Sequence, residues 1–296
     1  MILVTSANGK TGQHVVRALL AKKQEIRALD ISEKVAELQR LGVKEVIAGD
    51  MLDAATLNKA MDGVRAVVHI GPPFHPRERM MGEVVIDAAK SHGVGLFVYF
   101  SVLHPQIEAL IQHTMKLKVE EHLINSRLPY TILQPMHYMQ NVFVGDVVRG
   151  GVFDLPYSME TPLSFVDMQD VAEVAGKVLT EAGHERATYE LCGSDTLSGF
   201  DIARIIGEES GTRIETKSIP LQEFISHVPV KMSDYTVHGI ERLFTYYNRH
   251  GLTGNPNVLA WLLGRKPTTF AEYVRRELKD PSVPRNAFEL HAPVKK

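Results

Sequence analysis

Short apolar runs alternate with longer amphipathic segments through the first half of the chain. Residues 2–4, 26–29, 43–48, 66–70, 96–101 and 130–133 read as six strands. Between them, residues 12–22, 33–40, 54–61, 80–91 and 108–126 read as helices; in the first, Val15, Val16, Leu19 and Leu20 share one side. Ser32 and Asp53 stand where helix N-caps belong, and Gly42 and the pair Asp62-Gly63 stand where helices end. Strands that alternate with helices predict parallel pairing through right-handed crossovers. Strands that are apolar throughout predict a sheet covered on both faces. The expected fold class is therefore α/β, with a doubly wound parallel sheet.

The junction of the first strand and the first helix carries the chemistry. It reads Thr5-Ser6-Ala7-Asn8-Gly9-Lys10-Thr11-Gly12. A tight turn there lets backbone N–H groups approach a pyrophosphate, and the helix N-terminus adds positive potential. Gly9 permits close approach and Gly12 permits close helix packing, while Ser6 holds the place usual for a first glycine. A pair of glycines alone is a weak signal. Its position after an N-terminal strand, inside a complete strand–helix–strand unit, makes it a Rossmann signature. Ser6, Asn8, Gly9, Lys10, Thr11 and Gly12 are the candidate pyrophosphate-binding residues.

Asp30 ends the second strand about 20 residues after the loop. A carboxylate there accepts from the adenosine ribose hydroxyls and repels a 2′-phosphate, so NAD(H) is the preferred cofactor. Arg27 and Lys34 lie near enough in sequence to keep NADP(H) in play. Gly49-Asp50-Met51 ends the third strand, where Asp50 and Met51 would lie beside an adenine; an ordinary Gly-Asp turn accounts for the same residues. Gly71 and Pro72 after the fourth strand and Pro135 after the sixth complete the candidate cofactor set.

After Asn141 the rhythm loosens. Gly150-Gly151, Pro156 and Pro162 interrupt it, although residues 167–182, 199–210 and 220–227 again read as helices, and 243–261 is rich in aromatics. The reading is a Rossmann domain at 1–141, then a smaller C-terminal substrate-side region at 142–280 with some segments returning to the Rossmann core, and an irregular tail at 281–296.

Composition narrows the classes. The formal net charge is -2 with no long run of one sign, which argues against a nucleic-acid footprint or a membrane-surface patch. Cys192 is the single cysteine, so no intrachain disulfide or four-cysteine metal site forms. His69, His75 and His104 lack closely spaced carboxylate or cysteine partners, so no metal is expected. No apolar stretch reaches the roughly 18 residues of a membrane span. The opening run Met1-Ile2-Leu3-Val4-Thr5 is too short for a secretory signal, and a cytoplasmic protein is the expectation.

Several further segments, taken in order, carry a family resemblance. They are Phe100-Ser101-Val102-Leu103-His104-Pro105, His113-x-x-Lys116, Val119-Glu120-Glu121, Tyr130-Thr131-Ile132-Leu133-Gln134-Pro135 and Met139-Gln140-Asn141. Phe165-Val166-Asp167-Met168-x-Asp170-Val171-Ala172, His250-Gly251-Leu252-x-Gly254-Asn255 and Leu262-Leu263-Gly264-Arg265 follow. With the glycine loop, they resemble the NmrA-like family of atypical short-chain dehydrogenase/reductases across nearly the whole chain. The resemblance implies one of two functions. One is NAD(P)H-dependent reduction of quinones, dyes and other aromatic substrates. The other is cofactor sensing by a regulator that signals through a protein partner without turnover.

Short-chain dehydrogenases usually set a tyrosine four residues before a lysine on one helix, the tyrosine moving the proton and the lysine holding the nicotinamide ribose. Distance to Val119-Glu120-Glu121 selects Lys116, and four residues earlier stands Gln112; the alternative Lys118 has Thr114. The usual dyad is absent. Lys116 remains able to bind the ribose, and Gln112 is expected to matter little. Ser101 ends the fifth strand at the crevice edge, His104 follows it, and His113 lies one turn before Lys116; a histidine there could supply a proton at neutral pH. Tyr138 is a further candidate donor, or else an apolar wall. Quinone reduction needs less acid catalysis than ketone reduction and depends mainly on orientation. Phe74, Tyr138, Met139, Phe143, Tyr157 and Phe165 would suit a flat apolar small molecule, about half of them being expected as plain core. The pattern is silent on oligomeric state.

Overall fold

The computed structural model describes residues 1–31, 35–227 and 232–279. The Ser32 cap, Lys34 and the tail 281–296 lie outside the described residues. From the N-terminus the chain runs β1 (Ile2–Thr5), α1 (Lys10–Ala21), β2 (Ile26–Asp30), α2 (Val35–Arg40), β3 (Glu45–Ala48), α3 (Ala54–Met61) and β4 (Ala66–Ile70). It continues through α4 (Glu78–Ser91), β5 (Leu96–Phe100), α5 (Ile111–Ser126) and β6 (Tyr130–Pro135). Then come β7 (His137–Tyr138), α6 (Val144–Gly150), β8 (Val152–Leu155), β9 (Leu163–Val166), α7 (Met168–Val178) and β10 (Ala187–Leu191). The remainder is β11 (Thr196–Leu197), α8 (Gly199–Ser210), β12 (Glu215–Ser218), α9 (Leu221–Ser226), α10 (Asp234–His250), α11 (Asn257–Leu263) and α12 (Phe270–Lys279).

Two compact units share these elements. Met1–Pro135, Met168–Leu191 and Val258–Gly264 form the first; Met136–Asp167, Cys192–Asn257 and the described residues from Arg265 form the second. The first unit is built on a sheet of order β10-β6-β5-β4-β1-β2-β3, in which every strand pair is parallel. Helices α3, α4 and α5 supply Leu57, Met61, Met81, Val85, Ile86, Val119 and Leu123 to a buried cluster with Leu3, Val67, Phe97 and Ile132 of the strands. Helix α1 packs on α7. All four residues of β1 are buried, as a doubly covered sheet requires. The expected α/β, doubly wound class is the observed one. Asp53 caps α3, its carboxylate accepting from Thr56 N–H at 2.8 Å.

Strand order reverses between β1 and β4, so a crevice opens at their carboxyl ends. The second unit holds two small sheets, β11-β9-β7 and β12-β8.

Three elements depart from the sequence pattern. Helix α5 begins at Ile111 rather than 108, because the preceding segment forms the turns Ile107→His104 and Leu110→Ile107. Strand β10, the seventh of the main sheet, went unread: it is an edge strand whose burial is mostly partial, and its run Ala-Thr-Tyr-Glu-Leu lacks a continuous apolar signal. The aromatic-rich stretch 243–261 is shared between the end of the 17-residue helix α10, capped by Ser233, and the start of α11.

Candidate functional site

At the carboxyl end of β1 the chain turns at Ser6, whose φ is +48. Glycine adopts that left-handed region most readily, which is why a first glycine is usual at this place. Serine is held there by its own hydroxyl, which donates to Ile70 O at the end of β4 at 2.8 Å. Gly9 N–H donates to Ser6 O at 3.1 Å and closes the turn. A Cβ on Gly12 would stand 2.3 Å from Ser6 O and 2.8 Å from Ala7, so only glycine lets α1 start against the loop backbone. Gly9 is less constrained, with a φ of -67 and a virtual Cβ 3.3 Å from Ser6 O. No side chain caps α1. Its first turn, containing Lys10, Thr11 and Gly12, thus presents the amide end of a helix to the crevice.

Asp30 reaches the same loop: its Oδ2 accepts from Asn8 N–H at 2.9 Å. Arg27 points elsewhere. It pairs with Glu45 at 2.6 Å and donates to the carbonyls of Lys59, Ala60 and Asp62 at the end of α3. Asp50 accepts from Leu52 N–H at 2.9 Å and faces Arg77 at 4.0 Å. Met51 is part of the buried core. Gly71 and Pro72 continue from β4, and the Pro135 carbonyl at the end of β6 accepts from Leu103 N–H at 3.0 Å.

The other flank of this edge is built on α5. Lys116 is buried, and its Nζ lies 2.8 Å from Glu78 Oε1, itself buried on the first turn of α4. The same ammonium donates to Phe100 O at 3.3 Å and sits 5.7 Å from the centre of the Tyr99 ring. His69 stacks on the same Tyr99 ring, with centroids 5.8 Å apart, and its Nδ1 is hydrogen-bonded to Thr5 Oγ1 at 2.9 Å. Burial, assisted by the Lys116 charge, lowers the His69 pKa to about 3. Glu120 is buried and its pKa raised by desolvation, while Gln134 donates to it at 2.9 Å.

His113 does not match its expected part as a proton source. It is buried, its Nδ1–H donates to His104 O at 2.9 Å, and desolvation lowers its pKa to about 4. Nδ1 therefore carries the proton at neutral pH and Nε2 is an acceptor. His104 turns outward at a φ of +52 and lies 3.7 Å from Glu190. Tyr138 belongs to the second unit, on β7 opposite Val166 of β9. In that unit Met139, Tyr157 and Phe165 are buried core and Phe143 is exposed; Phe74 belongs to the first unit.

Glu78 and Tyr99 carry no sequence signal, while Glu120 stands out only within Val119-Glu120-Glu121 and His69 only as a histidine without metal-ligand partners. Glu78 falls just before the apolar periodicity of its helix, and an isolated glutamate there reads as a solvated first-turn charge. One buried polar atom on this flank, Gln112 Oε1, has no hydrogen-bond partner among the described residues. Together with the uncapped α1, the glycine-tight loop and the anchored Asp30, it fits a pyrophosphate-bearing dinucleotide laid along the carboxyl edge. Among the described residues no group of three or more His, Cys, Asp or Glu could hold a metal ion, and no helix is long and apolar enough to cross a membrane.

Fold and edge define a Rossmann-type dinucleotide-binding protein. The model of the NmrA-like family matches residues 1–274, and the chain belongs to that family. It is 29% identical over 280 residues to the NAD(P)H azoreductase of Xenophilus azovorans, covering 93% of this chain and 97% of that one. The crystal structure of NADPH-dependent quinone oxidoreductase QOR2 from Escherichia coli, complexed with NADPH, matches with a TM-score of 0.80 at 26% identity, over 94% of this chain and 100% of that one. The negative transcriptional regulator NmrA in complex with NAD matches with a TM-score of 0.73 at 18% identity, over 93% and 94% of the two chains, a likeness of fold.

Proposed function

We propose that the protein is an NAD(P)H-dependent reductase of a small, flat, apolar acceptor of the quinone or aromatic type. The observation that carries this reading is the Ser6–Gly12 cradle facing the crevice, with Lys116 fixed beyond it on α5 by Glu78 and the end of β5. The azoreductase and quinone-reductase relatives support the acceptor class. A reduced nicotinamide dinucleotide supplies hydride when bound. The amide end of α1, with Lys10, Thr11 and Gly12 in its first turn, would hold the pyrophosphate, since the amides of Asn8 and Gly9 are engaged within the protein. Lys116, held by Glu78 and the Phe100 carbonyl, stands ready to position the nicotinamide ribose. Gln112, which moves no proton, stands in the usual tyrosine place, and His113 Nε2 is an acceptor at neutral pH. Orientation rather than acid catalysis is what the residues provide, and a reactive acceptor needs little more.

NADH is the proposed preference. Asp30 is anchored to the loop where a 2′-phosphate would lie, and Arg27 is committed to Glu45 and the end of α3. The test is oxidation of NADH and NADPH by a panel of quinones and azo dyes, with both cofactors at equal concentration. Turnover with at least one acceptor, faster with NADH, is expected. Binding without oxidation by any acceptor would favour a cofactor sensor, the reading to which Gln112 in the tyrosine place lends weight.

A further inference from the structure

The first turns of α5 hold three buried polar side chains, and two of them are anchored by partners. His113 is tied to His104 O, and Lys116 to Glu78 and Phe100 O. Gln112, only 7% exposed, makes no hydrogen bond through Oε1 to any described residue. Burying an amide without a partner is costly, and native proteins rarely do it unless a ligand or water completes the bonding. The position is also informative. Gln112 lies one turn before Lys116, on the helix that packs against the loop leaving β5, at the carboxyl edge where a dinucleotide fits.

A glutamine side chain ends in an acceptor oxygen beside a two-proton donor. A bare carbonyl, as on a quinone, would engage the donor and leave the buried Oε1 unmatched. A carboxamide presents a donor and an acceptor side by side and satisfies both ends at once. We infer that Gln112 is the residue that binds the carboxamide of the nicotinamide ring, replacing a proton-moving tyrosine with a group that fixes which way the ring faces. The inference rests on the dinucleotide reading above. It reverses the expectation that Gln112 matters little.

Calorimetric titration of the full chain tests it, using NADH, its acetylpyridine analogue and ADP-ribose against wild type, Gln112→Ala and Gln112→Met. In the analogue a methyl replaces the amide nitrogen, so the donor to Oε1 is gone. Wild type should bind NADH about tenfold more tightly than the analogue, a discrimination of about 1.4 kcal/mol. Both variants should lose about tenfold toward NADH, cease to discriminate it from the analogue, and bind ADP-ribose within about twofold of wild type. Variants that keep wild-type affinity for NADH, or keep the discrimination, overturn the inference. So do variants that lose ADP-ribose equally, which would make Gln112 structural. A wild type that binds neither NADH nor ADP-ribose sinks the dinucleotide reading itself, a distinguishable result.

Discussion

The two flanks of the sheet edge are held in place by different physics. The β1–α1 flank is a backbone structure: a positive φ at Ser6, a turn closed by Gly9 N–H, and a glycine at 12 that admits no Cβ. The α5 flank is a structure of buried charge: an ammonium at Lys116, a carboxylate at Glu78 and a second carboxylate at Glu120. Thr5, His69 and Tyr99 run between them as a buried polar thread. The difference teaches where each flank is vulnerable. Steric change breaks the first, and charge imbalance breaks the second.

The largest effect should come from unbalancing the charges. Glu78→Gln leaves the Lys116 ammonium buried with a much weaker partner, and removing one member of a buried pair costs about 3–5 kcal/mol. The fall in Tm should be roughly 2–4 °C per kcal/mol. Lys116→Met should be destabilising for the mirror-image reason and should also weaken NADH binding. The double variant Glu78→Gln with Lys116→Met should recover much of the loss, because neither charge then remains. Additive losses in thermal melts would show that the two side chains do not act as a pair.

Next comes the backbone flank. Gly12→Ala drives a methyl toward Ser6 O and should cost about 1–3 kcal/mol, while weakening NADH binding more than it lowers stability. A variant with wild-type Tm and affinity would mean that the loop can shift away from α1 without consequence.

The pH dependence of stability separates the flanks further. Burial holds the folded pKa values of His113, about 4, and His69, about 3, below the 6.5 of an ordinary histidine. Between those values the unfolded chain binds more protons than the folded one, so stability falls as pH drops below 6.5. The slope should reach about 1.4 kcal/mol per pH unit for each histidine in its window, and flatten once both states are protonated. His113→Gln should remove part of the slope at pH 4–6.5 in denaturant titrations; an unchanged slope would place the effect elsewhere.

The smallest effect is expected at Asp30. Asp30→Ala removes both an acceptor for ribose hydroxyls and the repulsion of a 2′-phosphate, so the ratio of NADH to NADPH affinity should fall by about tenfold or less. A wild type that already binds NADPH more tightly would contradict the preference.

Legibility followed the same division. Glycines, strand runs and caps are local signals, so β1 to β6, the loop and the Asp53 cap could be read along the chain. Edge strand β10 could not, because partial burial removes the apolar run that marks a strand. Lys116 was found by its spacing to Val119-Glu120-Glu121, but its partner Glu78 lies 38 residues upstream, and only the fold brings the two within 2.8 Å. His113 was visible as a histidine, whereas its neutral state depends on burial and on a carbonyl nine residues away. Gln112 reads in sequence as a missing tyrosine; that its buried Oε1 lacks a partner among the described residues is a property of packing.

The most direct test of the account is calorimetric titration of NADH into wild type and Gly9→Val. Gly9 has an ordinary φ, and a Cβ there would meet only Ser6 O, at 3.3 Å, so in a folded variant the substitution acts mainly on how closely a ligand can approach the loop. The account predicts saturable binding by wild type and at least about tenfold weaker binding by a folded Gly9→Val protein, about 1.4 kcal/mol or more. Equal affinity in the two proteins would contradict it, because the dinucleotide would then not lie on the β1–α1 loop.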